Sequence, residues 1–285
     1  MTLTWLTVVL LAASGVAAGT LGALVGIGGG IVMVPTLVLA FGFDIKVAVA
    51  TSLLAVVATS TGAGATYVRS GLTNLRLGIS LELATTVGAI LGGVVAIMLS
   101  PGVIAGVFSV VMVVSAILVW RQQDQTPAVA AHPTGTATSS AFSGTYVDAL
   151  SDQTVVYHPR RFYAGAGISA VAGVLSGLLG VGGGFLKVPA MTLGMDVPIK
   201  PAVATSNFMV GVTAIASLAV YLSQGLVRPL IAVPAALGIA AGATLGSRLA
   251  SARVSARGVR GVLAVVMVAV AVQMGLQALG MNVGV

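Results

Sequence analysis

Residues 26–35 read Gly-Ile-Gly-Gly-Gly-Ile-Val-Met-Val-Pro, and residues 180–189 read Gly-Val-Gly-Gly-Gly-Phe-Leu-Lys-Val-Pro. The two stretches lie 154 positions apart, and that register continues on both sides without a gap. Lys46 falls on Lys200, and Ala48-Val49-Ala50-Thr51-Ser52 falls on Ala202-Val203-Ala204-Thr205-Ser206. Tyr67, Gly71 and Leu72 fall on Tyr221, Gly225 and Leu226, and Gly88 and Gly92 on Gly242 and Gly246. Between Gly19 and Gly92, 28 of 74 positions are identical at this offset. Shared apolar composition does not align prolines and lysines, so the chain reads as two homologous halves. The unit is far longer than a solenoid repeat. Duplicated halves are the usual plan of secondary transporters.

The solvent of these halves follows from composition. Apolar residues make up 58% of the 285 residues and charged residues 7%. Soluble domains carry about 25% charged residues, so this surface belongs in lipid. The 38 glycines agree with that, because glycine is frequent in membrane helices. Runs long enough to span occur at 3–25, 47–68, 77–99, 102–120, 163–181, 202–223, 230–250 and 261–280. Two shorter apolar pieces, 31–41 and 185–195, each follow a glycine cluster. Eleven helical residues rise about 16 Å, half the hydrocarbon core, so these pieces read as half-helices. The expected fold is an all-α polytopic membrane protein of the cell membrane. Residues 1–121 would form the first repeat of about four transmembrane helices, and 162–285 the second. Each repeat would carry a re-entrant or broken helix, at 26–35 and at 180–189.

Residues 122–161 are polar and contain both histidines, His132 and His158, which marks an extramembrane linker. Within it, Thr145–Leu150 and Thr154–Tyr157 around Ser151-Asp152-Gln153 suggest a small hairpin. Met1–Ala18 is apolar but lacks a basic leader, and the first charge is Asp44. It therefore reads as a retained first helix rather than a signal peptide.

Several function classes are excluded at this level. The net charge is +7, but the basic residues are scattered between apolar runs with no block of five or six. They orient the chain in a bilayer rather than bind nucleic acid. The chain has no cysteine, which removes disulfides and thiolate chemistry. No span holds a histidine or a pair of carboxylates. An enzyme, a metal site and a bound cofactor are accordingly not expected.

The glycine clusters have two readings. Glycines spaced by four (Gly15 and Gly19; Gly22, Gly26 and Gly30; Gly88 and Gly92; Gly238, Gly242 and Gly246) let helices approach closely. Three consecutive glycines followed five residues later by proline should instead break the helix. Broken backbone in hydrocarbon leaves N–H and C=O groups unpaired, and it is tolerated where it lines a cavity. Paired interruptions in two halves point to a transport site. Gly28, Gly29, Gly30, Gly182, Gly183 and Gly184 are therefore candidate substrate ligands. Thr51, Ser52, Thr205, Ser206 and Asn207 join them, because they fall near the starts of the second apolar run of each half. Helix starts favour anions, and hydroxyls and an amide can add donors. The alternative for these residues is ordinary capping or bonding to the preceding turn.

Two ionisable residues stand inside the apolar stretches. Lys187 follows the second glycine cluster, where the first half has Met33. An ammonium there would balance an anionic substrate; the alternative is snorkelling to the interface. Glu82 lies about two turns inside its span, as a proton relay or as an interfacial carboxylate. Asp44, Asp196, Lys46 and Lys200 flank loops and read as solvated.

The repeated Gly-[Ile/Val]-Gly-Gly-Gly with Val-Pro, the repeated Ala-Val-Ala-Thr-Ser and the polar central loop together resemble the sulfite exporter TauE/SafE family of bacterial and archaeal permeases. The resemblance covers nearly the whole chain except about residues 122–161. It implies export or uptake of sulfur-containing anions such as sulfite, sulfoacetate or other organosulfonates. The family's motifs fall on residues 26–30 and 180–184, and on 48–52 and 202–206. It assigns no role to Lys187. The expected function is a secondary transporter for a small anion, bound near the midplane, with one half rocking against the other. The coupling ion, H+ or Na+, and the oligomeric state stay open. A channel with the same half-helices is one alternative. A membrane subunit delivering sulfur species to a cytoplasmic enzyme, docked on 122–161, is the other.

The basic residues also carry a topology. With eight plain spans and Lys187 set aside, the other twelve Lys and Arg divide six against six. If 3–41 and 163–195 are re-entrant hairpins, Arg69, Arg76, Arg121, Arg160, Arg161, Lys200, Arg248, Arg253, Arg257 and Arg260 share one side. Only Lys46 and Arg228 lie opposite, which obeys the positive-inside rule and inverts the halves. Cysteines at positions 73 and 227, in this cysteine-free background, should then label from opposite faces of intact cells. Labelling of both from one face would reject the inversion.

Overall fold

The computed structural model describes residues 5–25, 28–121, 141–148, 153–251 and 256–280. The first half runs α1 (Trp5–Val25), α2 (Gly30–Pro35), α3 (Ile45–Arg69), α4 (Leu75–Met98) and α5 (Pro101–Arg121). A two-stranded hairpin follows, β1 (Gly144–Asp148) and β2 (Gln153–Tyr157). The second half runs α6 (Phe162–Leu179), α7 (Gly184–Pro189), α8 (Ile199–Ser223), α9 (Pro229–Ser251) and α10 (Ala256–Ala278). Among the described residues, seven helices are long and apolar enough to cross a membrane. Within α10, the eighth expected span, Ala264–Ala278 is a shorter apolar helix. The outward faces are apolar: Leu83 on α4 is 72% exposed and Leu237 on α9 is 67% exposed. Large apolar side chains belong there only if lipid surrounds the bundle.

Element bounds repeat at the offset read from the sequence. α2 and α7 coincide, as do α3 and α8. The side-chain bonds repeat too: Tyr67 donates to the carbonyl of Ala23 at 3.1 Å, and Tyr221 to that of Gly177 at 3.0 Å. Yet the halves do not form separate bundles. α1 lies chiefly against α9, α4 against α6, α5 against α10, and α3 against both α8 and α9.

Glycine permits these crossings. A Cβ at Gly88 or Gly92 would fall on the backbone of Ala170 or Val174 of α6. At Gly238 or Gly242 it would fall on Ala12 or Val16 of α1. Association in lipid has no hydrophobic drive, so close backbone contact supplies it.

Both helices break where the triple glycines stand. Gly28 and Gly29 have φ of 88° and 68°, and Gly182 and Gly183 have 77° and 73°. An L side chain rarely adopts this region. Gly26 and Ile27 lie outside the described residues. Pro35 and Pro189, read from the sequence as part of the break, do not interrupt anything. Each half-helix continues through its proline into a π-helical turn, Thr36–Ala40 and Ala190–Gly194. Proline cannot donate to the i−4 carbonyl and its ring crowds it. Widening to i→i+5 accommodates that misfit. Thr36 donates its hydroxyl to the carbonyl of Val32 at 2.7 Å, and Thr192 to that of Val188 at 3.0 Å.

The hairpin forms within one or two residues of its expected place. Its turn, 149–152, and residues 122–140, including His132, lie outside the described residues. Tyr146 and Tyr157 are buried against Leu77, Leu81, Met191 and Met195. Asn74 donates to the carbonyl of Phe142 at 2.8 Å and to the Tyr157 hydroxyl at 3.3 Å. The linker is thus tied to the start of α4.

Gly92→Ala and Gly242→Ala should each lower the thermal stability of purified protein, by about 1–3 kcal/mol from overpacking. Gly167→Ala, at an exposed helix position with open space around it, should be neutral or stabilising by about 1 kcal/mol. Equal midpoints for all three in a heated size-exclusion assay would contradict the packing role.

Candidate functional site

The two glycine turns meet. A Cβ built on Gly28 would lie 2.7 Å from Val210 and 3.5 Å from Val56; on Gly182 the distances are 2.6 Å and 2.9 Å. Val56 and Val210 are themselves repeat counterparts on α3 and α8. The turns therefore converge on one pair of side chains between the halves. Ser52 of α3 donates to the carbonyl of Gly180 at 2.7 Å, and Gly30 lies against that same carbonyl. α2 and α7 start at these turns, where the N–H of Gly30 bonds to the Gly28 carbonyl at 2.8 Å and that of Leu186 to the Gly183 carbonyl at 3.2 Å.

The Ala-Val-Ala-Thr-Ser residues do not stand at helix starts, as the apolar runs suggested. α3 begins at Ile45, with Asp44 accepting from the N–H of Lys46 at 2.8 Å. α8 begins at Ile199, with Pro201 in its first turn. Lys46 and Lys200 end the apolar runs but not the helices, so Thr51 and Thr205 lie in the second turn. Their N–H groups belong to the helix, and only the side chains are available.

Those side chains divide. Thr51, Ser52, Thr205, Ser206 and Asn207 are all fully buried. Ser52 faces the glycine turns. Thr205 accepts from the N–H of Asn74 at 3.0 Å and so holds the residue that caps α4. Asn207 donates back to the Val203 carbonyl at 3.0 Å, while its Oδ1 has no partner among the described residues. Thr51 Oγ1 and Ser176 Oγ likewise have none. Lys46 is not merely solvated: it donates to the carbonyl of Ile97 at 2.7 Å, near the end of α4.

Lys187 and Glu82 come together. Lys187 Nζ lies 3.2 Å from Glu82 Oε2, and both are buried. Lys187 donates to Thr213 Oγ1 at 2.6 Å, and Thr213 lies 2.5 Å from Glu82 Oε1. Lys187 therefore does not snorkel, and both charges point into the bundle. The backbone N–H of Lys187 bonds to the carbonyl of Gly183 at 3.2 Å, which anchors the ammonium-bearing residue to the second glycine turn. Thr213 is one helical turn beyond Val210. The pair thus stands beside the point where the two turns meet. Sequence reasoning flagged each charge but not their contact. The available signal was that two opposite charges inside apolar stretches seek each other. Among the described residues no group of three metal-binding side chains occurs. A groove of about 520 Å³ between α4 and α8 is lined by Ile90, Val94, Met98 and Val220. Its walls are apolar and its rim exposed, so it is a lipid-facing feature.

Comparison with known proteins agrees with this architecture. The family model for "Sulfite exporter TauE/SafE" matches residues 11–274. The chain is 29% identical over 237 residues to the "Probable membrane transporter protein YunE" of Bacillus subtilis, covering 81% of this chain and 84% of that one. It is 25% identical over 211 residues to the "Probable membrane transporter protein MJ0441" of Methanocaldococcus jannaschii, covering 72% and 68%. No solved structure matches. A bundle of seven apolar spans with lipid-compatible faces, broken twice at paired glycine turns, is a multi-pass protein of the cell membrane. The chain belongs to the sulfite exporter TauE/SafE family of membrane transporters.

Proposed function

We propose that this chain is a secondary transporter for a small anion, with sulfite or an organosulfonate as the substrate class. The observation that carries the reading is the buried Lys187 ammonium beside two broken helices. An ionisable residue inside a membrane bundle marks a substrate or ion path by default, and interrupted backbone is tolerated there where it lines a cavity. The family contributes the substrate class, because its model is named for sulfite export. Gly29 and Gly182–Gly184 would present backbone N–H groups to the anion, and Gly28 and Gly30 would do so only after their bonds to the Gly22 and Gly28 carbonyls open. Ser52 would add a hydroxyl, and Lys187 the compensating charge. Thr51 and Asn207 would contribute from the second turns of α3 and α8. Thr205 and Ser206 would do so only after their present bonding is rearranged. Nothing in this donor set activates a nucleophile, so transport rather than catalysis is the function it fits.

The moving bodies would not be the sequence halves. α1 is locked to α9 and α4 to α6 by backbone contact. Rocking residues 1–121 against 162–285 would tear both crossings. Alternation fits better as relative motion of the α1–α9 and α4–α6 pairs, hinged where the half-helices meet.

In proteoliposomes, uptake should saturate at millimolar substrate and show counterflow for at least one of sulfite, thiosulfate, sulfoacetate, methanesulfonate and sulfate. Unsaturable, channel-rate flux would replace the carrier by a pore. Lys187→Met should lower transport at least about thirtyfold, since losing one buried charge contact costs about 2 kcal/mol or more. The variant should still insert, because Glu82 can become neutral. Full transport by that variant would remove Lys187 from the site.

A further inference from the structure

The positions of Lys187, Glu82 and Thr213 correspond by repeat register to Met33, Ala236 and Thr59. The first half thus keeps the threonine but neither charge. Thr59 there bonds back to the carbonyl of Ala55 at 3.1 Å. The scaffold closes at that place without an ion pair, so the pair is not a requirement of the fold. A buried ion pair is also a poor source of stability, because both ions lose their hydration. The pair needs another explanation.

Its surroundings supply one. The elements packed on α4 around Glu82 are α6 and α8, and α7 brings Lys187. On α6 the titratable residue is Tyr163, which is 90% exposed. On α8 they are Lys200, in the first turn, and Tyr221, near the other end and bonded to Gly177. α4 itself adds Arg76, exposed in its first turn. Among the described residues, Glu82 therefore faces one buried charge, Lys187, and Lys187 faces one, Glu82. The site is neutral as it stands. A substrate anion entering beside Lys187 would leave it one negative charge in excess, which a low-dielectric interior strongly disfavours.

We propose that Glu82 is the resident counter-ion of Lys187, that the substrate anion displaces it, and that Glu82 takes up one proton as the anion binds, so that one proton crosses with each anion. This rests on the anion-transport reading above. The steps balance in charge. The empty site holds Glu82 as carboxylate and Lys187 as ammonium. The anion and a proton enter from the same side; the proton adds to a carboxylate oxygen of Glu82 and the anion pairs with Lys187 Nζ. For a singly charged anion such as methanesulfonate the site is neutral again; a doubly charged one such as thiosulfate crosses with one net negative charge. When the anion leaves on the other side, Glu82 releases the proton there and the 3.2 Å pair re-forms. Thr213, in contact with both partners, can turn its hydroxyl between the Glu82 oxygen and the Met209 carbonyl, 3.0 Å away, as the pair opens. Because the first half lacks both charges, there is one such site per chain.

The test uses reconstituted full-length protein, an entrapped pH dye and a potential clamped with potassium and valinomycin. Methanesulfonate and thiosulfate are the probes, since neither titrates near neutral pH. Wild type should move one proton per anion with either probe. Methanesulfonate uptake should then be electroneutral and indifferent to the clamped potential. Its initial rate should fall by about tenfold per unit rise in external pH where Glu82 is ionised. Glu82→Gln should retain counterflow of the labelled anion, lose the accompanying proton, flatten the pH profile and become sensitive to potential. The double variant Glu82→Gln with Lys187→Met imitates the uncharged first half; it should insert and transport neither anion nor proton. Wild-type anion flux without a matching proton flux would overturn the proposal while leaving the transporter reading intact, and so would wild-type rates in the double variant. No saturable flux of any anion in the wider panel would overturn both.

Discussion

Hydrocarbon offers a backbone amide no partner, and this chain breaks its backbone in hydrocarbon twice. Each unpaired group there costs several kcal/mol. The rest of the structure follows from how that cost is limited. The two breaks are placed against each other, so that Ser52 reaches the Gly180 carbonyl and both turns share Val56 and Val210. Glycine at the turns supplies left-handed backbone without a Cβ to displace those valines. The half-helices are then short enough to end inside the bundle, where threonine hydroxyls donate to the carbonyls of Val32 and Val188.

Bringing the breaks together demands that the halves interlock. Helices α1 and α6 lead into the two turns, and each leans on a helix from the opposite half. These crossings are made almost entirely of small residues, with glycine carrying the closest approaches. Bulky apolar side chains such as Leu83 and Leu237 cover the outside, where they face lipid, and others such as Phe108 and Phe185 fill the core. Among the described residues that core also holds hydroxyls, an amide and an ion pair. Such a polar set suits a protein whose interior must be visited by a polar solute.

Much of this was legible in the residues. The spans, the half-helices and the two breaks follow from apolar run length and from glycines that no helix interior would choose. The hairpin follows from alternating β-formers around a polar turn. Three matters were not legible, each for a physical reason. Helix starts were placed late because Lys46 and Lys200 interrupt hydropathy but not hydrogen bonding. The prolines were read as breakers because a one-dimensional pattern does not reveal that a π turn can absorb them. The Glu82–Lys187 contact joins residues 105 apart and depends on α4 lying against α6 rather than beside its own half. No local pattern encodes that choice; the register of glycines on α4 and α6 does, but only once the two faces are known to meet.

The cross-half crossings also bear on biogenesis. A ribosome delivers α1 to the bilayer long before α9 exists, and α4 before α6. Until those later helices arrive, the glycine faces of the early ones have no matching surface. The N-terminal portion must therefore wait, inserted but unassembled, while most of the polypeptide is still being made. Completion would come late, with the arrival of α9 for α1 and then of α10 for α5. Premature termination anywhere before α9 would strand α1 in lipid without its mate, a natural substrate for membrane quality control.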